Sequence, residues 1–258
     1  MSARPAVSVV MAARDGRRTI ARALDSVAAQ TYRDLETIVV DDGSTDGTWE
    51  LLRERPGLRL LRAPRPSGAA AARNRGLSAA RGRFVAFLDQ DDLWRPRFLE
   101  TALAAFDAEA MIVSTNYDLI GDGGRVSLRR AIRPGRHLDP AVRALGLEHL
   151  PHISSTVLRR EVFARVGRFD ESFTVLCEDA DFWYRAALAL GPAAFRLVDR
   201  RLACYRRTRP VLRSPTVRKL RDWPRLREKE RARLFELARL LVKHDAWMSL
   251  AGAAGEPA

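Results

Sequence analysis

Three short runs in the first ninety residues are apolar at nearly every position: Val7 to Met11, Thr37 to Val40, and Phe84 to Leu88. An uninterrupted apolar run of four or five residues reads as a strand buried on both faces. Between them lie helical stretches. Arg17 to Ala29 places Ile20, Leu24 and Val27 on one stripe, and Ala69 to Ala80 is rich in Ala and Arg. Leu58 to Leu61, between Gly57 and Pro64, predicts a further strand. The alternation β-α-β-α-β predicts a parallel sheet with helices on its faces and right-handed crossovers.

Beyond residue 110 the pattern is mixed. Strands are expected at Met111 to Thr115, near Val126, at Ser155 to Leu158, at Phe195 to Val198 and at Leu202 to Tyr205, with a loop at Gly121 to Gly124. Helices are expected near Ala141 to Glu148, from Arg160 to Val166 with Gly167 as C-cap, and from Glu178 to Leu190, where Gly191-Pro192 stops the chain. After Pro210 the sequence is basic and helix-prone, broken by Pro215 and Pro224, then amphipathic from Leu226 to Trp247.

A chain of 258 residues with 47% hydrophobic content buries one substantial core. Cys177 and Cys204 are too few for a disulfide framework, and no apolar run approaches the roughly 18 residues that span a bilayer, so a cytoplasmic placement is expected. The charge of +13 is concentrated: Arg200 to Arg233 holds fourteen Arg or Lys against Asp222, Glu228 and Glu230, a net +11. A near-neutral body with one basic tail suits contact with a membrane surface, a phosphorylated acceptor or an acidic partner better than general nucleic-acid binding. Leu234, Leu237 and Leu241 give the last helix an apolar stripe able to support a homodimer.

The chemistry gathers where the strands end. Val40 runs into Asp41-Asp42-Gly43-Ser44, and Leu88 into Asp89-Gln90-Asp91-Asp92, so acids collect at the carboxyl edge of a parallel sheet, where such folds bind ligands. Three carboxylates within four residues repel one another unless a cation compensates. Mg²⁺ or Mn²⁺ is the natural partner, held by one or two carboxylates plus phosphate oxygens. The same residues also suit a polar turn with Asp92 capping a helix ahead of Pro96. Ser44, Thr45 or Asp46 can cap a helix after the second strand. Arg73, in a small-residue helix, can direct a guanidinium at a phosphate. Glu178 and Asp179 open an apolar helix, where acids gain from the N-terminal dipole. Trp94, just after the acidic loop, offers an apolar platform for a ligand ring, and His152, ahead of Ile153-Ser154-Ser155, can face a ligand or a metal.

In order, Val7-Ser8-Val9-Val10, Gln30-Thr31-Tyr32, Val39 to Asp46, Ala72-Arg73-Asn74-Arg75-Gly76, Phe87 to Asp92, and Gly167 to Glu171 followed by Glu178-Asp179 resemble the motifs of family 2 glycosyltransferases. The resemblance runs from Val7 to about Arg185. It implies a GT-A, Rossmann-like fold: a mixed, mostly parallel sheet flanked by helices, here carrying a basic helical C-terminal tail. The catalytic domain would cover 1–208, with a nucleotide-sugar part (1–110) and an acceptor part (111–208), and the extension 209–258.

By the same resemblance Asp42 accepts from the nucleobase N–H, Asp89 lies near the ribose or sugar, and Asp91 binds the metal that bridges the diphosphate. Arg73 assists at the phosphates, and Asp179 is the catalytic base with Glu178 beside it. Ala12, Arg14 and Gln90 complete the donor-binding set. One base and a single displacement imply inversion at the anomeric carbon. The partners implied are a nucleotide-sugar donor, UDP or TDP favoured, and an acceptor that the residues do not identify. The chain departs from the family at Ala12-Ala13-Arg14-Asp15, where a Pro, an aromatic and an Asn are usual, and Arg14 can stack on a base in place of the aromatic. A nucleotidyltransferase would need a glycine-rich loop after the first strand, and Ala12 to Gly16 supplies one glycine. Two alternatives remain: a nucleic-acid- or anionic-surface-binding protein acting through residues 200–233, and a catalytically degenerate family member.

Overall fold

The apolar run at the N-terminus becomes an interior strand because both of its faces find a core. In the computed structural model, which describes residues 4–121, 126–130, 151–172 and 178–206, β1 (Val7–Ala13) pairs in parallel with β2 (Leu35–Asp41) and β4 (Phe84–Phe87). Val10 packs into one core, and Val7, Val9, Met11 and Ala13 into the other. Outside β2 lies β3 (Leu58–Arg62), also parallel.

Helix α1 (Ile20–Ala28) buries Ile20, Ala23, Leu24 and Val27 on the Val9 side, joined by Leu52 of α2 (Thr48–Arg53) and Phe98, Leu99 and Ala102 of α4 (Phe98–Ala104). The Val10 side is covered by α3 (Ala69–Ala79), α5 (Val162–Val166) and α6 (Glu178–Leu190), the last contributing Phe182, Trp183 and Ala186.

The sheet continues from β4 through an antiparallel β8 (Thr156–Arg159) to β6 (Ile112–Ile120) and β9 (Phe195–Arg206), and ends at the two-residue β5 (Leu93–Trp94). β7 (Val126–Arg130) pairs with β6 off this path. The result is a mixed sheet, parallel through its N-terminal half and again between β6 and β9. No helix among the described residues is long and apolar enough to cross a membrane.

Several expectations shift. The first helix starts at Ile20 rather than Arg17, because the N–H groups of Thr19 and Ile20 both turn back to the Gly16 carbonyl. The two late strands are one, β9, whose register on β6 slips between Val198 and Arg201. Asp92 caps no helix: β5 and a turn intervene before α4 begins at Phe98. Asp46, of the three cap candidates, accepts the Thr48 N–H (3.0 Å) where α2 starts. Gly167 ends α5 at φ +87°. The expected helix near 141–148, most of the glycine loop, and the chain from residue 207, including its apolar stripe, lie outside the described residues.

Gly76 sets how closely α3 lies on the sheet, since a Cβ there would meet Val10 Cγ1 at 2.4 Å. Gly76→Ala is expected to destabilise the fold by about 1–3 kcal/mol, read as a lower urea midpoint with unchanged slope.

Candidate functional site

The loop after β4 is the centre of the site, and each of its acids has a different environment. Asp89 donates its N–H to Ser154 Oγ (3.1 Å), and its carboxylate receives Arg73 Nη2–H at 2.7 Å. Asp92, fully buried, accepts the Arg206 backbone N–H at 2.8 Å. Burial, then Asp89 and Asp91, push the Asp92 carboxyl well above the usual range, against the Ser154 hydroxyl and that N–H. Asp91 is pushed up to about 6, by burial first and then by Asp89, with Arg206 pulling the other way. Arg206 also donates through Nε to the Asp91 carbonyl (3.0 Å) and through Nη1 to the Gly121 carbonyl (2.9 Å).

Arg73 joins this loop to the second acidic motif. Its guanidinium is buried, with Nη1 on Glu178 Oε1 and Nη2 on Asp89, and it lies 5.7 Å from the Phe169 ring. Burial alone would lower its pKa; Asp89 and Glu178, with Asp179 beyond them, outweigh burial and raise it. The next residue fixes the frame. Asn74 Oδ1 accepts the Phe169 N–H (3.1 Å) while its Nδ2 donates to the Phe169 carbonyl (2.9 Å) and Glu171 (2.8 Å), so the Arg-Asn-Arg-Gly motif grips the Gly167 to Glu171 motif directly. Glu178 is a direct partner of Arg73, and Asp179 adds its field at that guanidinium.

Gln90 ties the acidic loop to the loop after β1. Its Oε1 accepts the Arg14 N–H (2.9 Å) and its Nε2 donates to the Arg14 carbonyl (2.8 Å), a two-bond link packed against Gly16. That second loop is in turn stitched to the loop after β2. Asp15 N–H donates to Ser44 Oγ, Gly16 N–H to Thr48 Oγ1 and Arg17 N–H to Asp46, while Asp15 Oδ1 accepts the Thr45 N–H at 2.8 Å. Asp15 has φ +48°, a conformation that a short polar side chain tolerates. Asp15 thus ties the loop after β1 to the loop after β2, while the Arg14 side chain is 54% exposed. Ala12, partly buried, lies on β1 opposite Val40.

Asp42 directly follows β2. Its carboxylate is buried and accepts the Ser67 N–H (2.8 Å), the Ser67 hydroxyl (2.7 Å) and the Gly68 N–H (2.8 Å), which holds the chain leading into α3. Beside it, Gly43 to Thr45 and Arg62 to Pro66 line an open cleft of about 540 Å³.

Trp94 is no sugar platform. It is 4% exposed, stacked on Phe98 at 4.4 Å, and its indole N–H donates to the Ser154 carbonyl (2.6 Å). Trp94, the second residue of β5, is drawn into the core because β5 pairs with β9. His152 is half-buried between Tyr117 and Tyr205, with ring centroids 5.1 and 4.4 Å away. Arg206 and Ser154, both fastened to the acidic loop, were not singled out from the sequence: one lies 114 residues from its partner, the other 65, and no local pattern links them.

The residues fit a divalent cation of the open kind. Asp89 meets Arg73 and Asp92 Oδ1 meets the Arg206 N–H, while Asp92 Oδ2 is buried without a hydrogen-bond partner and Asp91 is raised beside it, so a cation held at Asp91 would relieve repulsion that the loop's acids share. One carboxylate with phosphate oxygens and water is a normal set for Mg²⁺. Among the described residues no group of three His, Cys, Asp or Glu forms a closed cage.

A mixed sheet with acidic loops at the carboxyl edge of its parallel half is the GT-A architecture. The chain superposes on a crystal structure of S. aureus TarS 1-349 in complex with UDP, with TM-score 0.63 and 22% identity over 92% of this chain and 71% of that one. The model of glycosyl transferase family 2 matches residues 8–167, and the chain belongs to that family. The uncharacterized glycosyltransferase alr2836 of Nostoc sp. is 32% identical over 174 residues, 64% of this chain and 54% of the relative. The UDP-Glc:alpha-D-GlcNAc-diphosphoundecaprenol beta-1,3-glucosyltransferase WfaP of Escherichia coli is 36% identical over 114 residues, 43% of this chain and 45% of the relative. The chain thus spans about half the length of these relatives.

Removing Arg73 leaves two carboxylates facing each other without their cation. Arg73→Leu is expected to cost about 3–5 kcal/mol of stability in chemical denaturation, whereas Arg73→Lys, which keeps the charge, loses less.

Proposed function

We propose that the protein is an inverting glycosyltransferase that moves a sugar from a nucleoside diphosphate donor to an acceptor hydroxyl. The observation that carries this reading is the Arg73 guanidinium held between Asp89 of the acidic loop and Glu178, neighbour of Asp179. It sets a phosphate-binding group and a base-bearing helix at one sheet edge. Asp91 would hold Mg²⁺ or Mn²⁺, which would supply positive charge to offset that on the departing diphosphate. Arg73 supplies a second positive charge there, oriented in advance by its two carboxylate partners. Ala12, Arg14 and Asp42 lie on the base side, and Gln90 keeps that side in register with the acids. Asp179 takes the proton of the acceptor hydroxyl as it attacks from the face opposite the diphosphate. UDP is the favoured nucleotide: WfaP is named for UDP-Glc, and TarS is crystallised with UDP.

Calorimetry of UDP, TDP and GDP with and without Mn²⁺ tests the reading. One diphosphate is expected to bind with metal dependence, and Asp91→Asn to lose about tenfold or more of that affinity. Asp179→Asn should keep diphosphate binding and lose about 10²-fold or more in kcat. A folded protein that binds none of the three diphosphates overturns the donor site.

A further inference from the structure

With Trp94 in the core, the acidic loop has no ring on the side first expected, but it has two on another. His152 and Tyr205 are both half-buried, their centroids 4.4 Å apart at 59°. Buried Tyr117 stands behind both, 5.1 Å from His152 and edge-on to Tyr205 at 6.1 Å, so the pair has a firm backing.

Each ring is tied to the acids through its own backbone. Tyr205 immediately precedes Arg206, whose N–H holds Asp92. His152 lies two residues before Ser154, whose Oγ receives the Asp89 N–H, and the His152 carbonyl accepts from Ser155 N–H (3.0 Å) and the Thr156 hydroxyl (2.8 Å), which pins the turn. Burial, then Asp92, Asp89 and Asp91, raise the Tyr205 phenol, which puts that ring in the field of all three carboxylates.

A pyranose presents C–H groups on its faces and hydroxyls around its rim. Rings beside carboxylates match that pattern, the rings covering a face and the acids accepting from the rim. We propose that His152 and Tyr205 form the platform for the sugar ring of the donor, with Asp89, still partly exposed beside Arg73, as the acceptor for a sugar hydroxyl. The assignment rests on the nucleotide-sugar reading above, which supplies a sugar attached to a diphosphate at this edge. It gives the donor site the sugar-facing wall that the nucleotide-facing loops lack.

The test is calorimetry with UDP and UDP-glucose in Mn²⁺ on the wild type, His152→Ala, Tyr205→Leu and Tyr205→Phe. Affinity for UDP should stay within about twofold throughout, which also reports a folded site. Affinity for UDP-glucose should fall about tenfold in His152→Ala and Tyr205→Leu, and Tyr205→Phe, which keeps the ring, should behave as wild type. Unchanged UDP-glucose affinity in both ring-removing variants overturns the platform, as does an equal loss for UDP and UDP-glucose. Wild type that binds neither ligand removes the nucleotide-sugar reading itself, and the platform with it.

Discussion

A guanidinium shut away from water must bring its counter-charges with it, because an uncompensated buried charge costs several kcal/mol. Arg73 meets that requirement with one carboxylate from the loop after β4, Asp89, and one from α6, Glu178. Neither acid can move far without exposing or stranding the cation. Around it, Gly76 lets α3 settle onto β1, and Asn74 clamps the Phe169 to Glu171 segment that leads toward α6. Helix α3 is short of apolar residues on its own account, and its place is set by these polar and steric locks as much as by the Ala70, Ala72 and Leu77 it buries.

The three acids of the loop share a small volume by dividing their commitments. Asp89 serves Arg73, and Asp92 anchors the end of β9. Asp91 keeps a raised carboxyl with no such commitment, and that asymmetry gives a cluster of like charges one member suited to a cation. The loop is held from two directions, by Gln90 toward β1 and by Arg206 from β9.

Much of this was legible in the residues. Val7 to Val10, Ile38 to Val40 and Phe84 to Phe87 are strands buried on both faces, as continuous apolar runs dictate, and the acids follow them at the sheet edge. What escaped was set by contacts distant in sequence. Trp94 reads the same beside an acidic loop whether it faces solvent or core, and only the pairing of β5 with β9 decides. Arg206 sits in a basic stretch where nothing local marks one arginine from its neighbours, yet among the described residues of that stretch it is the buried one. The slip in β9 near Asp199 and Arg200 made one strand look like two.

The Gln90 side chain bonds the Arg14 backbone with one donor and one acceptor, as a neighbouring strand would. It therefore acts as a single missing rung between two loops that never pair through their main chains. Its reach is fixed by the length of a glutamine, so the loop after β1 and the centre of the acidic motif form one structural unit. A chimera that imports residues 12–16 from a relative to change the base preference would have to import the residue at position 90 as well. Grafted alone, the new loop would face a partner cut to a different span.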